Sequence, residues 1–119
     1  MSDATNPKDL IGIKKPDLAL IPGSALIHLA KAFENGRDKY GSFNWRDKKV
    51  QAMIYASADI RHGLSWIDGE DYAQDSGVHH LAHKMACCAI LLDAIECGCL
   101  IDNRPTKGAS AALIQRLTK

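Results

Sequence analysis

The sequence has no excess of charge: fifteen lysines and arginines stand against fourteen aspartates and glutamates, a formal net charge of +1. A long nucleic acid is gripped through a broad basic field, and none is available here. The only adjacent cationic pairs are Lys14-Lys15 and Lys48-Lys49. A small anionic ligand needs only two or three cations and is not excluded. No apolar run approaches the ~20 residues of a membrane span, so no membrane partner is expected. Met1 to Asp9 is polar and carries Asp3, Asn6 and Pro7 where the apolar centre of a secretory signal would sit. A cytoplasmic location is therefore the expectation. The four cysteines, Cys87, Cys88, Cys97 and Cys99, form no C-x-x-C. In a reducing compartment they read as small buried hydrophobes rather than as a thiolate metal site. There is no convincing strand pattern and no internal repeat.

What is there has an ordinary globular composition: 119 residues, 46% apolar and 24% charged. Such a chain makes a single domain, residues 1–119, with a core thin enough that self-association would help stabilise it. The periodicity predicts an all-α fold, a compact bundle of three main helices with an extended N-terminal arm and a short C-terminal helix. The arm covers residues 1–24, punctuated by Pro7, Pro16 and Pro22. Its clusters Leu10-Ile11-Gly12-Ile13 and Leu18-Ala19-Leu20-Ile21 are too apolar to hang free in water. They are expected to pack over the helices or across a partner subunit.

The helical core spans residues 25–105. Helix one starts near Ser24, repeats Leu26, Leu29, Ala30 and Phe33 at helical spacing, and weakens or ends at Gly36. A loop rich in aromatics and cations follows, from Arg37 to Arg46. Helix two runs from about Val50 to Trp66 or Ile67, with Met53, Ile54, Ser57, Ile60, Leu64 and Ile67 as its apolar stripe. Gly69 closes it. Helix three runs from about Val78 to Glu96, capped by Ser76-Gly77 and stopped at Gly98. Its expected core stripe is Leu81, Met85, Cys88, Leu92 and Ile95. The tail, residues 106–119, carries a short amphipathic helix through Ala112, Leu113, Ile114 and Leu117.

Four of the five histidines fall between positions 62 and 83. His79 and His83 are four apart and His80 and His83 three apart, so either pair projects side by side from a helix, about 5–6 Å apart at Cβ. Two imidazoles at that spacing can share a metal ion. The intervening sequence is not H-E-x-x-H, so no zinc-protease reading follows. His62 lies on the preceding helix, and the loop between carries Glu70, Asp71 and Asp75, all oxygen ligands. Antiparallel helices with inward histidines and carboxylates are a recurrent way to build a metal site. The plainer reading also stands: the acids solvate a turn, Asp75 caps helix three, and His62 is hydrogen-bonded to a neighbouring acid.

The second constellation is Lys39-Tyr40-Gly41-Ser42-Phe43-Asn44-Trp45-Arg46. Lysine and arginine hold phosphate, arginine through paired N–H donors. Tyr40, Phe43 and Trp45 offer stacking faces for a base, and Asn44 either reads a base edge or caps the next helix. The alternative is a loop pinned to the core by its aromatics.

Taken together, these words resemble the phage dATP/dGTP diphosphohydrolase family, often called MazZ-like. The matching stretches are Asn6-Pro7-Lys8-Asp9, Lys39-Tyr40-Gly41, Asn44-Trp45-Arg46, Arg61-His62, Trp66, Gly69-Glu70-Asp71, Ser76-Gly77, His80-Leu81-Ala82-His83 and Asp102-Asn103-Arg104-Pro105. They cover about residues 6–105. The resemblance implies an all-α nucleotide pyrophosphohydrolase, distantly related to MazG-type enzymes. It implies assembly as a homodimer or tetramer, host cytoplasm as the location, and a divalent metal, Mg²⁺ or Mn²⁺. The related enzymes carry E-x-x-E on one helix and E-x-x-D on the next. Here Asp59-Ile60-Arg61-His62 and His80-Leu81-Ala82-His83 stand in those helices, and imidazole favours Zn²⁺ or another transition metal.

The leading expectation is a metal-dependent pyrophosphohydrolase that converts a (d)NTP, most simply a purine dNTP, to monophosphate and pyrophosphate. His62, Glu70, Asp75, His80 and His83 are the expected metal ligands. The metal would polarise a phosphoryl oxygen and activate water, with Glu70 or Asp75 taking the proton. Lys39, Arg46 and Arg61 would neutralise the triphosphate with help from Lys84, and Tyr40, Asn44 and Trp45 would contact the base. Two rival expectations are a nucleotide-sequestering protein without turnover and a structural helical oligomer.

Overall fold

The structure is a computed structural model that describes residues 6–119. Residues 1–5, the first part of the expected arm, lie outside it. The rest of the arm is not wholly extended. It holds a short helix, α1 (Pro7–Gly12), and a single 3-10 turn at Leu18–Leu20. Both are started by a side chain. Asn6 accepts from the Lys8 N–H at 3.0 Å with Pro7 at the first helical position, and Asp17 accepts from the Ala19 N–H at 3.1 Å. The apolar clusters do not pack over the helices: Leu10, Ile11, Ile13, Leu18 and Leu20 are all exposed.

Helix α2 (Gly23–Tyr40) follows. It runs straight through Gly36, where the sequence suggested an end, because one helical glycine costs only about 1 kcal/mol. It stops at Gly41, whose φ of 90° suits a residue without Cβ. Then come α3 (Asn44–Lys48), β1 (Val50–Gln51), α4 (Ala52–Ile67), α5 (His80–Cys97), β2 (Leu100–Ile101) and α6 (Ser110–Leu117). The aromatic and cationic stretch is thus mostly helical rather than a loop. Tyr40 ends α2, while Asn44, Trp45 and Arg46 belong to α3. β1 and β2 pair in parallel, Val50 with Leu100, a two-residue ladder too short to announce itself by alternation. Helix α5 is capped by His79, whose Nδ1 accepts from the Leu81 N–H at 3.1 Å, and ends at Gly98 in the left-handed region. Among the described residues, no helix is long and apolar enough to cross a membrane.

The bundle is centred on α5, which packs most extensively on α4 and also on α2. Its buried residues are His80, Ala82, Ala86, Cys87 and Ala94. The face of α4 turned inward is Ala52, Tyr55, Ala56, Asp59, His62 and Gly63, all buried or half-buried. These faces, built largely from alanine with a few polar and aromatic residues, replace the stripes expected from the sequence. Met53, Ile54, Ile60, Leu64 and Ile67 of α4, and Cys88, Leu92 and Ile95 of α5, are exposed. Helical spacing reveals an apolar face but not what it meets, and here the contact face is the one that permits close approach. The cysteines divide in the same way, Cys87 and Cys99 buried, Cys88 and Cys97 exposed.

Two buried clusters share Phe33. One is Ala32, Ala82 and Ala86; the other is Trp45, Val50, Ala94 and Cys99. The arm and tail add little to either, and the radius of gyration is 18.3 Å against the roughly 14 Å of a compact domain this long.

Asp93 of α5 pins the second cluster. It accepts from the Trp45 indole N–H at 2.7 Å and takes two bonds from the Arg46 guanidinium, each 2.9 Å. Those donors hold its carboxyl down at about 2. A carboxyl acidified by folding stabilises the folded state above its ordinary value of 3.8 and loses that contribution as pH falls toward about 2. Asp93→Asn is therefore expected to lower the midpoint of thermal unfolding at pH 7. The gap between variant and parent should close as the pH is taken from 5 to 2, which circular dichroism at each pH reads directly.

Candidate functional site

Close packing of α4 on α5 brings three imidazoles together. The His62 ring stacks on His83, centroids 4.8 Å apart and planes inclined by 18°. His62 Nδ1 lies 2.8 Å from His80 Nδ1. His80 is 5% exposed, and its other nitrogen, Nε2, lies 2.5 Å from Glu70 Oε1. Glu70 is placed by the turn that ends α4, where its backbone N–H bonds the Ser65 carbonyl. The backbone N–H of His80 bonds the Asp71 carbonyl, which ties the same loop to the start of α5. His83 Nε2 is 2.7 Å from the Ser76 hydroxyl, and Ser76 also accepts from the Val78 N–H. Ser76 thus organises the entry to α5, although the capping residue itself is His79.

His62 and His83 line an open cavity of about 820 Å³ between α2, the α3 segment, α4 and α5. Lys39, Tyr40, Asn44, Trp45, Arg61 and Asp75 also line it, together with Phe43, an expected stacking face, and Arg37, to which the sequence pointed no role. Phe43 holds φ at 54°, a left-handed conformation that L residues rarely adopt, and it is half exposed beside Trp45. Arg61 is loosely held, donating to Ser57 on its own helix at 2.9 Å.

The expected nucleotide contacts separate into two sets. Lys39, Tyr40, Asn44 and Arg61 converge on the cavity. Trp45 also reaches its wall, but is 6% exposed with its N–H spent on Asp93. It is a core residue rather than a free stacking face, and Tyr40 and Phe43 are the exposed rings. Arg46 spends its fork on Asp93. Lys84 lies elsewhere, 3.1 Å from both Asp59 oxygens, in a separate and largely apolar groove with His28, His79 and Met85.

The five expected metal ligands come into one neighbourhood but not into a ligand set. Both ring nitrogens of His80 are engaged, and one Glu70 oxygen is turned onto it. Among the described residues, no group of three or more His, Cys, Asp or Glu side chains is arranged to hold a metal ion. Mg²⁺ requires an octahedral oxygen shell, which this imidazole-rich arrangement does not supply. The arrangement therefore does not fit an oxygen-coordinated Mg²⁺ held by these side chains alone.

Burial pushes the His62 and His83 imidazoles below the ordinary value of 6.5. The neighbouring histidines add to the effect and Asp75 opposes it. Below pH 6.5 the unfolded chain then binds more protons than the folded one. Their contribution to stability is complete above that value and is lost as pH falls through the lower folded values. Thermal midpoints measured from pH 7.5 down to 5 are expected to fall, and to fall less steeply in His62→Gln and His83→Gln.

Comparison with known proteins gives a consistent result. A family model described as "dATP/dGTP diphosphohydrolase, N-terminal" matches residues 5–104. A protein of Salmonella phage PMBT28 named "dATP/dGTP diphosphohydrolase" is 30% identical over 101 residues, which are 82% of this chain and 32% of that protein. The chain thus spans about a third of the length of the curated relative it matches. No solved structure matches it.

Proposed function

Because the chain belongs to the family of dATP/dGTP diphosphohydrolase N-terminal regions, we propose that it is a nucleotide pyrophosphohydrolase. In this reading it converts a purine dNTP to the monophosphate and pyrophosphate. The observation that carries the proposal is the cavity in which Lys39, Arg37 and Arg61 face His62 and His83. A triphosphate needs several cations to offset its charge, and a base needs an exposed ring, which Tyr40 and Phe43 offer. Arg46 and Lys84 are spent on Asp93 and Asp59, which leaves Lys39 and Arg61 as the cavity cations without a carboxylate partner among the described residues. The divalent ion that the resemblance implies is, in this proposal, carried in as the counter-ion of the triphosphate.

The chain is proposed to act as a homo-oligomer. The outward stripes of α4 and α5 and the apolar arm support this, since a single chain leaves them in water. Light scattering is expected to give a mass that is a multiple of 13.0 kDa; a single-chain mass would contradict it.

Incubation with dATP or dGTP in the presence of Mg²⁺ or Mn²⁺ is expected to give equal amounts of monophosphate and pyrophosphate by ion-exchange chromatography. Arg61→Ala, which removes one charge-assisted contact, is expected to raise KM roughly 10-fold or more. Recovery of intact nucleotide from a tightly bound complex would instead identify a sequestering protein.

A further inference from the structure

Glu70, His80 and His62 form a continuous hydrogen-bonded chain, and one proton assignment that satisfies both contacts takes Glu70 as the acceptor and His80 as a neutral imidazole. An ionised carboxylate only accepts, so His80 Nε2, 2.5 Å from Glu70 Oε1, is the N–H that donates. In a neutral imidazole the other nitrogen is then a bare acceptor. His80 Nδ1 must therefore accept, and His62 Nδ1, 2.8 Å away, must donate to it. That leaves His62 Nε2 as an unprotonated lone pair. The order is also spatial: His62 lines the cavity, whereas His80 is buried and neither it nor Glu70 reaches the cavity wall.

We propose that Glu70, His80 and His62 form a proton relay in which His62 Nε2 is the general base for the water that attacks the nucleotide, with no metal ion held by the three side chains. The inference rests on the pyrophosphohydrolase reading and assigns the base within the same cavity. A water O–H bond breaks as His62 Nε2 takes the proton, and the oxygen forms a bond to the α-phosphorus. The bond from that phosphorus to the bridging oxygen breaks, and pyrophosphate leaves with the electron pair. The Nδ1 proton of His62 passes to His80 Nδ1, so the positive charge comes to rest on a buried ring that faces the Glu70 carboxylate. Glu70 and His80 are positioning residues, and only His62 meets the reacting water.

The groups facing His62 suit this role. His83 is stacked against it from α5, Asp75 approaches from the loop, Arg61 sits beside it on α4, and Lys39 of α2 acts on His83. Burial and the neighbouring histidines hold His62 below the usual imidazole value.

Nitrogen-15 NMR of the histidine-labelled full chain, without nucleotide or metal, tests the relay independently of turnover. The expected spectrum has His62 protonated at Nδ1 and His80 at Nε2. In Glu70→Gln, His62 is expected to lose this single form and mix tautomers. For activity, His62→Gln is expected to lose about 10²- to 10⁴-fold in kcat with little change in KM, and to lose the acid limb of the pH profile below 6.5. Glu70→Gln should lose less, again in kcat. A His62 protonated at Nε2 would overturn the relay. So would stoichiometric Zn²⁺ or Mn²⁺ binding that is abolished by His62→Gln. Pyrophosphate release by the parent with an undiminished His62→Gln variant would overturn the relay and leave the pyrophosphohydrolase reading intact. A parent that turns over no nucleotide would overturn both.

Discussion

Helix α5 can be approached from two sides because the residues it buries are small. Ala82 and Ala94 are fully covered, and Ala86 and Cys87 nearly so. Helix α4, which packs on α5, also turns small residues inward, Ala52, Ala56 and Gly63. Alanine and glycine at a helix crossing shorten the distance between axes, and the larger side chains at the same depth are then forced into contact. Those larger side chains are the histidines. The 2.8 Å separation of His62 and His80, and the stacking of His62 on His83, lie across this helix pair. A Cβ on Gly63 would sit at ordinary contact distance, 3.5 Å, from the end of the Lys84 side chain.

Charge is distributed by the same packing. Asp93 and Asp59 lie on the packed helices and each captures a cation, Arg46 in one case and Lys84 in the other. The first pair also carries the Trp45 N–H, so it closes the core cluster and defines one wall of the cavity. Lys39 and Arg61 line the cavity with the histidines, as does Arg37, which is paired with its neighbour Asp38.

The long helices were legible because period and caps agree over many residues: α5 begins two residues after its expected start and ends one residue after its expected end. The inward faces were not legible. Leu92 and Ile95 form a regular stripe, yet they are exposed, while alanines that carry no periodic signal are buried. Sequence spacing cannot tell a stripe meant for the same chain from one facing outward. The cluster of histidines was visible as a cluster, but its bonding was not. The pairing of His62 with His80 crosses eighteen positions, and the capture of Arg46 by Asp93 crosses forty-seven. Whether a cation is free or spent depends on such distant partners. The two-residue ladder of Val50 with Leu100 was hidden for the same reason.

A crystal structure of the chain with a dATP analogue whose α- and β-phosphorus atoms are bridged by nitrogen tests the central claim most directly. The account predicts the triphosphate between Lys39, Arg61 and His62, with the α-phosphorus nearest His62 Nε2 and the base against Tyr40 or Phe43. It also predicts that His62 and His80 keep their mutual hydrogen bond. A triphosphate bound along the groove beside Asp59 and Lys84, or a metal ion inserted between His62 and His80, would contradict it.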